Sequence, residues 1–195
     1  MNLEINDALI PGTRLKKSEM GNVTGMEFLS KVFFISEGVM LSQIREVSGI
    51  DGSTLQNWTK RGWVANARLK KYNIDQVAHI LIINMLRSCV QLDKIALLLQ
   101  YINGNIDDKS DDIIHDSVLY DYICRILDTL MHHDICSMSS IKNVISEQIV
   151  DYEEAMPGAR ERLANALEII VVAYYAALIK RRSDEMLTDL MSRAF

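Results

Sequence analysis

The feature that most constrains this chain is a pair of short amphipathic segments joined by a tight turn. Apolar residues recur every three positions between Leu41 and Val47, and this run closes at Gly49. The pattern predicts a two-turn helix that stops sharply. Asp51 can then cap a second short helix, in which Leu55 and Trp58 share one face. Two short helices around a glycine-containing turn predict a helix-turn-helix motif.

The segment that follows this motif is basic and alternates poorly. The second helix is predicted over 52–61, and Gly62 can supply a left-handed residue at its end. From Trp63 to Tyr72 arginine and lysine are frequent, and the segment is too short for another helix with its linkers. We therefore expect a small β-wing or an extended loop, followed by a helix that Asn73 or Asp75 caps.

Helical periodicity dominates the rest of the chain. Only two prolines and nine glycines interrupt 195 residues, and an apolar fraction of 49% is ample for a buried core. We predict an all-α, mainly helical fold, with Pro157-Gly158 as its clearest break. The other predicted helices cover 26–35, 77–85, 92–102, 116–132, 139–155 and 159–181, with a short separate piece from Ser183.

We predict three regions along the chain. Residues 1–40 form an irregular N-terminal arm and a short helix, and residues 41–104 hold the helix-turn-helix with its wing and two following helices. Gly104 and the acidic stretch 107–112 then lead into the helical region 105–195. Because its helices are too apolar for a mere tail, we expect a bundle that also forms a homodimer interface.

The distribution of charge separates one segment from the rest. The chain carries a net charge of −5, but Leu41 to Arg87 holds seven basic residues against three acidic ones, a net charge of +4. The remainder therefore carries −9. A locally basic segment in an acidic chain suits a protein that presents one face to a polyanion.

Several separated stretches of this sequence resemble the MerR-type DNA-binding domain. "LSQIREVSGIDGSTLQNWTKRGWV" and "KKYNIDQVAHILIINMLRSCVQLDKIALLLQYI" have that domain's order of parts. More closely, "TLQNWTKRG", "ILIINML" and "LLQYINGNIDDKSDD" resemble the bacterial family of domains of unknown function eighteen thirty-six, over about 41–130. Its members are thought to be transcription regulators. The sequence departs from MerR proper because Gln56-Asn57 replaces the usual Arg-Tyr, the wing is shorter, and no long C-terminal coiled-coil helix is apparent.

The resemblance implies that the second helix reads the major groove and that the wing contacts phosphates. Glutamine and asparagine can bond bidentately to adenine, while lysine and arginine bind guanine or phosphate. Tyr72 matches the aromatic residue that closes the wing. The predicted DNA-binding residues are Ser53, Thr54, Gln56, Asn57, Lys60, Arg61, Arg68, Lys70, Lys71 and Tyr72. We expect a repressor-like regulator that acts as a homodimer on double-stranded DNA.

Other function classes have weaker support in the sequence. No phosphate-binding glycine loop, nucleophile elbow or HExxH helix is present, so we expect neither an enzyme nor a cofactor. The cluster of His132, His133 and Cys136 has no fourth ligand at a suitable spacing, so we expect no metal site there. The three cysteines are unevenly spaced, and we expect them to be reduced, buried thiols.

Location and partners complete the expectations. The apolar segment 169–179 is far short of the roughly 20 residues that span a bilayer, so we expect a cytoplasmic protein without membrane contact. A small-molecule effector is an open alternative, with Met156, Tyr174, Tyr175, Met186 and Met191 as candidate pocket residues. The competing interpretation is a protein-interaction adaptor on a winged-helix fold, whose basic wing binds an acidic partner.

Overall fold

The computed structural model describes residues 9–33, 38–106, 108–132 and 137–194. Within these residues the fold is mainly helical, as predicted, with one small two-stranded sheet. The elements in chain order are a 3-10 helix Ser18–Met20, α1 Gly25–Phe33, β1 Val39–Met40, α2 Leu41–Ser48, α3 Gly52–Lys60, β2 Lys71–Tyr72, α4 Ile74–Leu86, α5 Leu92–Asn103, α6 Asp116–His132, α7 Met138–Gln148 and α8 Ala159–Ala194.

Helix α4 lies at the centre of the fold because apolar residues occupy almost its whole circumference. Between Val77 and Leu86 every residue except Asn84 is buried, and the helix packs against α1, α2, α5, α6 and α8. Asn73 caps it: its side chain accepts a hydrogen bond from the Gln76 amide, and the Gln76 side chain accepts one from the Asn73 amide. The alternative cap Asp75 instead accepts two hydrogen bonds from Ser117 at the start of α6.

The described part of the N-terminal arm packs against the body of the protein. Ile10 is fully buried, and the Arg14 amide donates to the Val47 carbonyl at the end of α2. Asn84 donates to the carbonyls of both Gly12 and Ser48, at 2.8 and 3.0 Å. Gly12 has a φ of 75°, and a Cβ there would lie 2.2 Å from a backbone oxygen of α4. The arm therefore braces α2 against α4.

Helix α8 corrects two expectations. The sequence predicted a break at Ser183 and no long C-terminal helix, but α8 runs unbroken for 36 residues after Gly158. Its first half packs against α4, α5, α6 and α7, whereas every residue from Ile179 to Arg193 is exposed. Among the described residues, α8 is also the one helix that is long and apolar enough to cross a membrane, which by itself is weak support for a membrane span.

Buried side chains from each of the helices α1 to α8 form one continuous hydrophobic core. Buried tyrosines fasten loops to it, since the Tyr120 hydroxyl donates to the Pro11 carbonyl and the Tyr152 hydroxyl to the Ile113 carbonyl. Tyr152 follows α7 in the chain. This helix was predicted to continue to residue 155, but it ends at Gln148. The predicted boundary at Gly104 between a DNA-binding region and a dimerisation region remains a prediction, because a shared core does not show which function each region has.

The cysteines only partly match the prediction of buried thiols. Cys124 is fully buried in α6, and this burial raises the pKa of its thiol to about 12. Cys89 is exposed, because it follows the end of α4 at the protein surface. Cys136 and His133 lie outside the described residues, as does the side chain of His132, and within the described chain no three metal-binding side chains cluster.

Candidate nucleic-acid interface

The two helices of the predicted motif are joined by the three residues 49–51. Gly49 has a φ of 73°, which allows the chain to leave α2 sharply, and Ile50 is buried beneath the turn. Asp51 caps α3, since its carboxylate accepts hydrogen bonds from the amide of Thr54 and from the hydroxyls of Ser53 and Thr54. These bonds hold the pKa of the Asp51 carboxyl well below its usual value.

Helix α3 has one buried face and one exposed face. Leu55 and Trp58 are each 1% exposed, and the guanidinium of Arg87 lies over the Trp58 ring, 5.6 Å from its centre. The side chains of Gln56, Asn57 and Lys60 are exposed on the other face. Within the described chain they form no hydrogen bond or ion pair. They are therefore available to a partner.

The hydroxyls of Ser53 and Thr54 have a different role from the one predicted for them. Both donate to the capping carboxylate of Asp51, and Thr54 is half-buried. A hydroxyl that donates to Asp51 keeps an acceptor lone pair but has no free hydrogen. These two residues thus first stabilise the start of α3.

Arg61 is exposed immediately after α3, and its guanidinium lies over the Trp63 ring, 5.1 Å from the centre. The following loop is held against α4 by two side chains. The side-chain amide Nε2 of Gln76 donates to the carbonyl of Asn66 at 2.9 Å, and His79 Nε2 is 3.0 Å from the carbonyl oxygen of Trp63. The exit from α3 is therefore fixed in place.

Residues 68–71, which we call the basic turn, occupy the predicted wing. Arg68 and Lys71 exchange both backbone hydrogen bonds, at 3.0 and 2.9 Å, so that two residues form the tip. The tip residues Leu69 and Lys70 have φ values of 51° and 64°, as a type I′ turn requires. All four side chains are exposed, and Leu69 is 91% exposed. The strand β2 after the turn pairs with β1, directly before α2.

Tyr72 was predicted among the DNA-binding residues, but the structure buries it. Its backbone pairs with Val39 in the sheet, and its side chain is 8% exposed within the core. Burial raises the pKa of its hydroxyl. We therefore assign Tyr72 to the core and remove it from the predicted DNA-binding residues. Leu69 is the surface residue that the prediction missed, because no local pattern distinguishes a strained turn tip from a strand.

The predicted effector segment does not form a single pocket wall. Tyr174 is buried and lines a pocket of about 270 Å³ together with the N-terminal arm. Met186 and Met191 lie on the exposed part of α8, at 60% and 55% exposure. These residues therefore face different surroundings.

Comparisons with known proteins agree with the predicted family. Residues 27–123 match the family described as Domain of unknown function (DUF1836). The DUF1836 segment begins in α1, ends in α6 and contains every residue of the predicted DNA-binding set.

A relative is the uncharacterized protein YkrK of Bacillus subtilis (strain 168). It is 27% identical over 166 residues, which cover 80% of this chain and 71% of YkrK. The stretch aligned with YkrK is therefore longer than the DUF1836 segment of this chain. No solved structure gives a significant match.

Proposed function

We propose that this protein is a sequence-specific, repressor-like transcription regulator, in which residues 41–104 form a MerR-like winged helix-turn-helix. The observation that carries the proposal is the exposed face of α3. Among the residues that the structure describes, the side chains of Gln56, Asn57 and Lys60 have no partner there, while Trp58 on the opposite face packs the helix against the core. A rigid helix with a free polar face is the usual device for reading the major groove.

The chemistry of the exposed residues divides into reading and positioning. Gln56 and Asn57 carry amides that can bond bidentately to adenine, and these contacts distinguish sequences. Lys70 and Lys71 on the basic turn offer ammonium groups that neutralise phosphates and set the register on the duplex. The helix and the turn would thus contribute specificity and affinity separately.

The same proposal includes a homodimer that pairs through α8. On its solvent side, apolar residues recur with the three-four spacing of a heptad repeat, and Ala176 and Ser183 occupy the intervening positions. The exposed apolar residues are Ile169, Val172, Ile179, Met186 and Leu190, at 39% to 64% exposure. This stripe is about 32 Å long at 1.5 Å per residue. Heptad stripes of this kind are buried in coiled coils, and a second copy supplies an identical stripe.

Light scattering after size exclusion tests the dimer. At tens of micromolar protein the wild type should elute with twice the chain mass. The double substitution Met186→Glu and Leu190→Glu should yield a monomer, because it places four charges in the shared apolar stripe. Thr188→Glu, on the opposite side of the same helix, should remain dimeric. A wild-type monomer would contradict this part of the proposal.

Selection from a random duplex library, followed by fluorescence anisotropy, tests the reading function. On the selected site Gln56→Ala and Asn57→Ala should each cost about 1–3 kcal/mol, or roughly 5–150-fold in affinity. On random DNA they should bind like the wild type. Gln91→Ala is a matched control, since this exposed glutamine precedes α5 and makes no capping hydrogen bond.

Failure of that selection would favour the adaptor alternative. If the protein binds no duplex at low salt, the basic turn is instead available to an acidic protein. The proposal assigns no enzymatic activity to the chain, and it places the protein in the cytoplasm, where bacterial DNA is accessible.

A further inference from the structure

A pocket of about 540 Å³ opens beside the exit from α3. Its walls come from residues 61–63, from α5 and from the loop before α6. Two buried ionisable side chains line it, His79 of α4 at 9% exposure and Asp116 of α6 at 5%. Pockets of this size hold small organic ligands. Neither buried residue belongs to the proposed DNA surface.

The hydrogen-bond pattern of His79 is incomplete. Its Nε2 lies 3.0 Å from the Trp63 carbonyl oxygen, and because a carbonyl only accepts, Nε2 carries the hydrogen. Its Nδ1 lies 3.2 Å from Oδ2 of Asp116, but no atom of the described chain forms a hydrogen bond with Nδ1. In the neutral imidazole with this tautomer, Nδ1 is an acceptor. While the imidazole is neutral, Nδ1 and the Asp116 carboxylate are therefore two acceptors that face each other, and no donor among the described residues lies between them.

Other groups near Asp116 leave this deficit in place. Asn103 donates to the second carboxylate oxygen, Oδ1, at 3.4 Å. The Lys109 ammonium lies 4.0 Å from Oδ2, beyond hydrogen-bond distance, and its shorter contact is to Asp112 at 3.0 Å. The position of Lys109 indicates that the negative charge here attracts an ammonium group, although the Lys109 ammonium itself lies closer to Asp112 than to Asp116.

We propose that this pocket binds a small organic cation whose ammonium or amidinium group donates to both Nδ1 of His79 and Oδ2 of Asp116. A buried acceptor without a donor destabilises a protein, and a charged N–H donor satisfies both acceptors at once. Trp63 and Leu97 on the walls provide apolar surface for the hydrocarbon part of the ligand. The ligand class is thus an amine or amidine with an apolar body.

The hydrogen bond between His79 and the Trp63 carbonyl connects the pocket to the exit from the proposed reading helix. A ligand bound at Nδ1 of His79 contacts the ring whose Nε2 donates to the Trp63 carbonyl, and Trp63 lies three residues after Lys60, where α3 ends. Occupation of the pocket should therefore change the position of Arg61 and the affinity for DNA. This step rests on the proposed function, whereas ligand binding itself does not.

NMR titration of the full-length protein tests the site without DNA. The chain has two indole N–H signals, from Trp58 in the core and from Trp63 in the pocket wall. Benzylamine is the cationic probe, and benzyl alcohol and benzoate are its neutral and anionic counterparts. We expect benzylamine to shift the Trp63 signal saturably and the Trp58 signal much less. The alcohol and the benzoate should bind at least about tenfold more weakly, as the loss of a charged hydrogen bond requires.

Three variants and a control sharpen the result. Asp116→Asn and the pocket-filling Ala96→Phe should each weaken benzylamine binding about tenfold or more. Lys109→Met should strengthen it, because the competing ammonium is gone. Lys94→Phe adds the same ring to α5 outside the pocket and should change nothing. If Asp116→Asn does not fold, Ala96→Phe still decides the outcome.

The opposite results would overturn the proposal. Absence of saturable benzylamine binding, tighter binding of benzoate, or unchanged binding to Ala96→Phe would each exclude a cation site here. DNA affinity measured with and without saturating benzylamine forms a separate arm. An unchanged DNA affinity would overturn the coupling to α3 alone, and a protein that binds benzylamine but no DNA would refute the proposed function instead.

Discussion

Trp58→Ala tests whether the buried face of α3 is correctly assigned. The ring is 1% exposed and is among the largest fully buried side chains of the protein. Truncation of such a ring to alanine costs about 3–5 kcal/mol, because it leaves a cavity that the surroundings only partly fill. Loss of the Arg87 contact adds roughly 0.5–1 kcal/mol. Since domains are stable by about 5–15 kcal/mol, the variant should lose roughly a quarter or more of its stability.

Guanidinium unfolding followed by far-ultraviolet circular dichroism measures this loss without relying on tryptophan fluorescence. Trp63→Ala is the matched control, because Trp63 is only half-buried and should lose less than half as much stability. A Trp58→Ala protein that unfolds like the wild type but no longer binds DNA would refute the assignment. It would show that the ring faces the nucleic acid.

Two further predictions concern the basic turn. Replacement of Lys70 and Lys71 by glutamine should lower the slope of log affinity against log salt by about 2, since each phosphate contact contributes about 0.9. Anisotropy over a salt series measures this slope, and a slope as steep as that of Lys94→Gln would contradict phosphate contact. Leu69→Gly should raise stability by about 1 kcal/mol in thermal unfolding, because only glycine adopts a positive φ without strain. A decrease would reveal a stabilising contact of the leucine side chain.

Local signals explain why the region from α2 to α4 was predictable. The glycine at 49, the cap at Asp51 and the inward pair Leu55 and Trp58 all act within one or two helical turns. Such preferences involve residues that are close together in the chain, so the sequence alone is enough to predict them. The family match over 27–123 also agrees with the resemblance noted from these stretches.

The length of α8 was missed for a physical reason. The basic run at 180–182 and Ser183 resemble a helix end, but neither glycine nor proline follows them. The residues beyond are mostly good helix formers, and pairs one turn apart such as Lys180 and Asp184 support the helix. Periodicity showed apolar positions there, but it could not show that they would remain exposed.

Long-range contacts account for the rest. His79 and Asp116 lie far apart in the sequence, and only the packing of α4 against α6 brings them within 3.2 Å. Likewise, Tyr72 was included among the DNA-binding residues because it matches the aromatic residue that closes the wing, whereas its burial depends on the pairing of β2 with β1. A sequence pattern specifies an element more readily than the neighbours of that element.

Photo-crosslinking from α3 is the most direct test of DNA recognition. p-Benzoylphenylalanine would replace Gln56 on the exposed face of α3 or, as a control, Lys94 on α5. Each protein is then irradiated with sheared genomic duplex at about 50 mM salt, where phosphate contacts are strong. The account predicts a protein–DNA crosslink from position 56 and little or none from position 94. No crosslink from position 56, or equal crosslinking from both positions, would contradict it.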